Sequence, residues 1–266
     1  MPDWTLLSRT PAFETTAFLL GLVVGSFANV CIYRLPRRES IVSPPSRCPS
    51  CGRLIRAIDN VPVVSWLLLR GRCRACRAPI SPRYPAVEAA NGLLWLALAA
   101  LHGPRAQTFV AMALVTALLV LSLIDLEHQI LPDVITLPGL AAGLAASFLP
   151  GWPVRPRAAL LAAAGGWLAF AAVAKLYQRA RGIEGLGQGD WKLAAMLGAF
   201  LGWQPMLLTV LIASVAGTLV GLAAVGLRGR DMRHPLPFGT FLGAAGIAVL
   251  FFGDPILAWY GGLFGG

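Results

Sequence analysis

The chain of 266 residues carries 57% apolar and only 13% charged side chains, with a mean hydropathy of +0.70. A water-soluble domain of this length would hold roughly 25% charged residues, so the composition excludes a soluble globular protein and makes the bilayer the main solvent. The formal charge of +10 invites a nucleic-acid partner, but the arginines are placed as topology signals, and nucleic acid is excluded on that ground.

The amino-terminal stretch lacks a basic start and contains Asp3 and Glu14. Its first apolar run is long enough to remain in the membrane, so it reads as an anchor rather than a cleaved signal peptide. A membrane-spanning helix takes about 20 apolar residues. Eight runs fit: 13–33, 86–101, 106–124, 134–149, 158–176, 191–203 (short), 205–226 and 236–260. The expected fold is an all-α polytopic membrane protein of about eight helices. It divides into a first helix within 1–33, a loop domain at 34–83, and a membrane core of about seven helices at 84–266.

The loop at 34–83 holds eleven arginines, from Arg34 to Arg83. Lys175, Arg179, Arg181 and Lys192 cluster near the fifth and sixth runs, and Arg228, Arg230 and Arg233 follow the seventh. With eight crossings all three loops share a side, leaving Arg9, Arg105, Arg155 and Arg157 on the other. The positive-inside rule makes the first side cytoplasmic and puts both termini outside.

Within the loop, "CPSC" (48–51) and "CRAC" (73–76) form two C-x-x-C knuckles. That spacing matches a four-thiolate zinc site of Cys48, Cys51, Cys73 and Cys76. A loop of this size has little core of its own, and a metal supplies folding energy. The alternative, a pair of disulfides, is rare in the cytoplasm. Four thiolates leave no open coordination position, so the metal is structural. Cys31, inside an apolar run, reads as a packed small hydrophobe.

Few acids remain to be explained. Asp231 sits among arginines and balances their charge, and Asp133, in "LPDVITLP", reads as a helix cap. Asp125, in "LSLIDLEHQILPD", ends the third run, where the helix dipole disfavours an anion and no basic neighbour follows. An acid held there is a functional candidate. Asp190, in "IEGLGQGDWKL", opens the sixth run; alone it reads equally well as an N-cap. Two crossings separate it from Asp125, so both acids end on one face. Two carboxylates facing each other in a poorly hydrated site share a proton, one acting as acid and the other as base. Asp190 at a helix N-terminus would be the base and Asp125 at a C-terminus the initial acid. Gly185, Gly187 and Gly189 let a substrate backbone come close, and Lys192, pointing away from Asp190, serves as a headgroup or loop anchor.

These residues resemble a known family. "GLGQGDWKL" resembles the G-x-G-D motif of membrane-embedded aspartic proteases. "GSFANVCIYRLP", the Cys-rich loop, "PISPRYPAVEAANG", "IDLEHQILPD" and "PLPFGTFLGAAG" resemble, in order, blocks of the bacterial type IV prepilin peptidases. The resemblance implies an inner-membrane enzyme that removes the leader of prepilins or type II secretion pseudopilins at the cytoplasmic face, with Asp125 and Asp190 as the catalytic pair. It also implies N-methylation of the new terminus from S-adenosylmethionine, with Glu88, Gly92, Arg34 and Pro36 as candidate residues. A helix-start acid, a packing glycine and a turn account for those four equally well. Thr240 departs from the usual "PFG" block, and nothing catalytic is expected of it. Rival readings are a broader intramembrane protease, an ion transporter, for which no repeat-related broken helices are seen, and a non-enzymatic secretion assembly factor.

Overall fold

The computed structural model describes residues 11–182, 185–228 and 236–264. Asp3, Arg9, Arg230, Asp231 and Arg233, to which the sequence assigns topological or charge-balancing parts, lie outside the described residues. Among the described residues the fold is helical, and β structure is confined to two isolated bridges, Arg47 with Leu54 and Arg72 with Pro79. The chain separates into two compact units, divided between Thr116 and Ala117.

The first unit is built on α1 (Pro11–Arg34) and α3 (Arg83–His102), joined by the Cys-rich loop, which contains the five-residue α2 (Val64–Leu68). The sequence "GLVVG" places Gly21 and Gly25 one turn apart on α1, the small-residue spacing that lets membrane helices approach closely. A Cβ at Gly21 would lie 2.9 Å from Gly92 Cα on α3, and one at Gly25 would lie 2.8 Å from Glu88 Cα. Polar side chains then bond across the seam. Asn91, fully buried, donates to the Gly21 carbonyl at 2.7 Å and accepts from Thr116 at 2.8 Å, and Trp95 Nε1 donates to Thr116. In hydrocarbon each such group needs a partner, which fixes the rotation of the two helices.

The second unit takes the end of α4 (Ala106–His128), then α5 (Asp133–Ala146), α6 (Pro156–Arg181), α7 (Gln188–Leu201), α8 (Trp203–Arg228) and α9 (Phe238–Phe264). Its centre is α7, buried at every residue from Leu193 to Phe200. Small residues again make the contacts. Gly198 sits against the Ala162 carbonyl of α6, Gly166 of α6 against Ala194, and Gly139 and Gly143 of α5 against Met196 and Phe200. The outer face of α8 presents Leu207, Leu211, Val215, Leu219 and Leu222, exposed at helical spacing, as lipid requires.

Helices stand at all eight expected places, but the described residues include six long and apolar enough to cross a membrane. α5 and α7 have 14 residues each, about 21 Å at 1.5 Å per residue. Eight full-length crossings are therefore not found. α7 is short for a physical reason: sheathed by protein rather than lipid, its length is not set by the bilayer.

Candidate active site and metal centre

Asp125 lies on the last turn of α4 and is 5% exposed. Its Oδ2 accepts the Thr240 backbone N–H at 2.7 Å and the Thr240 hydroxyl at 3.1 Å. Thr240 is the third residue of α9, so the donor is one of the N–H groups a helix start leaves free. The adjacent Gly239 is required by packing, since a Cβ there would lie 3.0 Å from Asp125 Oδ2 and 2.8 Å from Leu131 Cδ1.

Asp190 is 9% exposed in the first turn of α7. It is not the N-cap: Gly187 takes that position, and Asp190, three residues on, reaches back to accept the Gly187 N–H at 3.2 Å. A Cβ at Gly189 would lie 2.8 Å from Leu131 Cβ. Leu131 thus fits between the glycine before Asp190 and the glycine beside Asp125, and the two carboxylates are close enough for the charge of Asp125 to act on Asp190.

Three expectations change at this site. Both acids, not Asp190 alone, accept a helix-start N–H, so the dipole argument no longer separates base from acid. Thr240, of which nothing catalytic was expected, holds Asp125 by its backbone N–H, while its single hydroxyl proton is shared between the Ser122 carbonyl at 3.0 Å and Asp125 at 3.1 Å. Asp133 follows the N-cap Pro132 and makes no cap; its carboxylate takes Lys192 Nζ at 2.6 and 2.8 Å, tying the start of α5 to that of α7. Lys192 thus pairs with Asp133. Of the three motif glycines, Gly185 faces the Tyr177 ring and Gly189 faces Leu131, whereas a Cβ at Gly187 would meet only Asp190 Oδ2 at 3.5 Å and a backbone nitrogen at 4.0 Å. Only Gly187 keeps open space beside a carboxylate.

The four cysteines of the loop bring their sulfurs within 4.8 Å of one another, with Cys48 Sγ and Cys76 Sγ 3.8 Å apart. Metal–sulfur bonds of about 2.3 Å in a tetrahedron give an edge of about 3.8 Å, so the set fits a bound metal ion. The two knuckles share one backbone plan. Gly52 N–H bonds the Cys48 carbonyl and Arg77 N–H the Cys73 carbonyl, each from a left-handed residue, at φ +69° and +61°. Backbone N–H groups of Cys51 and Ser50 draw the Cys48 thiol down to about 6, and those of Cys76 and Ala75 lower Cys73. Against the pull of the Ala78 N–H, burial and the three neighbouring sulfurs raise Cys76 to about 11. A cation is what lets all four be thiolates together. Arg74, in the second knuckle, pairs with Asp59 at 2.7 Å and holds that carboxyl below its usual range.

The remaining candidates lie in the first unit. Arg34 ends α1 and donates to the carbonyls of Ser40 and Pro44 at 2.8 and 2.7 Å; Pro36 sits in the 3-10 turn Leu35–Arg37. Glu88 is buried, accepting the Val63 N–H at 2.7 Å, with Ser26 of α1 beside it. Gly92, one turn on, packs against Leu22 and Phe18.

Two family models match the chain, the bacterial peptidase A24 N-terminal domain over residues 19–102 and the type IV leader peptidase family over 112–222. Curated relatives named prepilin leader peptidase/N-methyltransferase align along nearly all of it. The protein from Burkholderia pseudomallei is 45% identical over 92% of this chain and 87% of its own. The one from Pseudomonas putida is 42% identical over 97% of both, and that from Aeromonas hydrophila 40% identical over 93% of both. No solved structure matches.

Proposed function

Because the chain belongs to the type IV leader peptidase family, we propose that it is a membrane aspartic endopeptidase whose acid–base pair is Asp125 and Asp190. The observation that carries this is the placement of the two buried carboxylates, each fixed by a helix-start N–H on either side of Leu131. Sharing one proton, the ionised partner takes a proton from water as the oxygen attacks the scissile carbonyl, and the protonated partner stabilises the developing oxyanion. Proton transfer to the leaving nitrogen then completes cleavage. Gly187 is where an extended substrate backbone comes alongside Asp190, since no side chain among the described residues fills that space. Gly189 and the Asp133–Lys192 pair hold the start of α7 in place.

The substrates are prepilins or pseudopilins of secretion systems, cut on the cytoplasmic face of the inner membrane, with both termini of this chain on the far side. Zinc is the metal of the Cys48, Cys51, Cys73 and Cys76 site; its four thiolates close the coordination sphere, so its part is to fold the loop. The first unit supports N-methylation of the product with S-adenosylmethionine as methyl donor, and Glu88, Gly92, Arg34 and Pro36 are the residues to test there. A broader intramembrane protease accounts less well for the Cys-rich amino-terminal unit, and an assembly factor without activity has no use for two facing acids.

The deciding experiment is cleavage of a leader-bearing prepilin in liposomes by the wild type, Asp125→Asn and Asp190→Asn, read by intact mass with and without S-adenosylmethionine. Leader loss in the wild type alone is expected, with a methyl-sized gain on its product. Near wild-type cutting by either variant would overturn the dyad and make Asp133 the next acid to test.

A further inference from the structure

The Cys-rich loop contains one apolar run, "VPVVSWLLL" at 61–69, between Arg56 and Arg70. In a water-exposed loop such a run would turn its side chains inward. Here Val61, Val64, Leu67 and Leu68 are exposed, Leu68 to 78%, and the preceding Ile58 to 70%.

Most backbone N–H groups of this run are paired. Val61 N–H donates to Ser65 Oγ, whose hydroxyl donates to the Ile58 carbonyl. Val64, Ser65, Leu67 and Leu69 N–H groups find the carbonyls of Pro62, Val61, Val63 and Ser65. Val63 is at φ +60° and has no backbone acceptor among these; its N–H goes to the Glu88 carboxylate at 2.7 Å. Satisfied backbone beneath exposed apolar side chains is what hydrocarbon demands and water does not.

Glu88 also fixes the depth. It is the sixth residue of α3, so it lies about 8 Å along that helix from Arg83, and Ser26, beside it, lies about 12 Å from the loop end of α1. Both helices are long and apolar enough to span. A backbone amide bonded to Glu88 is therefore drawn inward of the loop ends of both helices.

We propose that residues 61–69 form a re-entrant membrane anchor, clamped by Glu88, with Val64, Leu67 and Leu68 in the acyl region and the exposed Arg56, Arg70 and Arg72 against anionic headgroups. Lipid is the occupant that the charge pattern favours. The loop has eleven arginines against two acids, Glu39 and Asp59, and Asp59 is paired with Arg74. A basic substrate leader would be repelled by such a rim.

The test uses the full-length protein in liposomes of phosphatidylethanolamine and phosphatidylglycerol. A photo-crosslinking p-benzoylphenylalanine replaces Leu68 in one variant and Arg53, an exposed knuckle residue, in another. Both positions are on the surface, and intact cleavage activity would show that each variant folds. After illumination, intact mass should show phospholipid adducts at position 68 and only background at 53. An unmodified protein at 68 would overturn the anchor, as would crosslinking of 68 to a second copy or to added prepilin in place of lipid. Equal lipid labelling at both positions would overturn it too, since the whole loop would then lie on the surface without entering.

Discussion

Glu88 in the first unit and Asp125 in the second begin from the same situation and end with different chemistry. Each is a buried carboxylate in a spanning helix, and each accepts a backbone N–H at 2.7 Å from a segment distant in sequence, Val63 for one and Thr240 for the other. Among the described residues Glu88 has one hydrogen-bond partner, the Val63 amide, and no second acid beside it. Asp125 has a second acid within reach of its charge, and Gly187 leaves room beside that acid. A lone acid satisfied by a donor holds two segments together, whereas two acids within reach of each other's charge can move a proton. Burial alone does not distinguish a clamp from a catalyst; the neighbours do.

The largest effect that would break this contrast is expected from Asp125→Asn and Asp190→Asn. Each keeps the side-chain shape and should lower leader cleavage by at least about 10²-fold, the scale of a lost general acid or base, with an unchanged melting profile. Next, Gly239→Ala and Gly189→Ala press a methyl against Leu131, and overpacking of this kind costs about 1–3 kcal/mol. Turnover should fall accordingly, and a second change, Leu131→Ala, should restore part of it in Gly239→Ala, where the methyl meets Leu131 Cδ1, but not in Gly189→Ala, where it meets the Cβ that alanine keeps.

Lys192→Asp should impair kcat more than KM by loosening the start of α7. The exchange Asp133→Lys with Lys192→Asp should recover activity if the ion pair positions Asp190 rather than contacting substrate. Thr240→Val keeps the backbone donor and removes the hydroxyl, so a loss of about 0.5–1.5 kcal/mol is expected in kcat/KM, together with a displaced pH–rate profile. An unaltered profile would mean that the hydroxyl does not act on Asp125.

Glu88 gives the smallest effect on cleavage. Glu88→Gln retains an acceptor for Val63, so leader removal should stay within about twofold, while Glu88→Leu leaves that N–H unpaired and should destabilise the fold by about 1–3 kcal/mol. Methylation measured on the Gln variant reads whether the charge of Glu88 serves the second reaction. A large loss of cleavage in Glu88→Gln would end the distinction between clamp and catalyst.

Much of this was legible beforehand. The eight helical segments, the four clustered cysteines and the two candidate acids follow from hydropathy, spacing and the absence of charge partners. Thr240, Leu131 and Gly239 were not, because nothing local in "PLPFGT" says that its helix start will meet a carboxylate 115 residues earlier. Asp133 was misread as a cap for the same reason: its true partner, Lys192, is 59 residues away.

The sequence by itself determined that the chain lives in a membrane, which segments are helical, and that one loop gathers four thiols. Those properties are local, set by transfer free energy and by ligand spacing along the chain. Tertiary structure alone decided that α7 is sheathed by protein and need not span, that Asp125 meets the helix-start amide of Thr240, and that Glu88 reaches the apolar run at 61–69. These depend on glycines that bring helices together at close range, and which neighbours a buried carboxylate finds there is settled only when the helices pack.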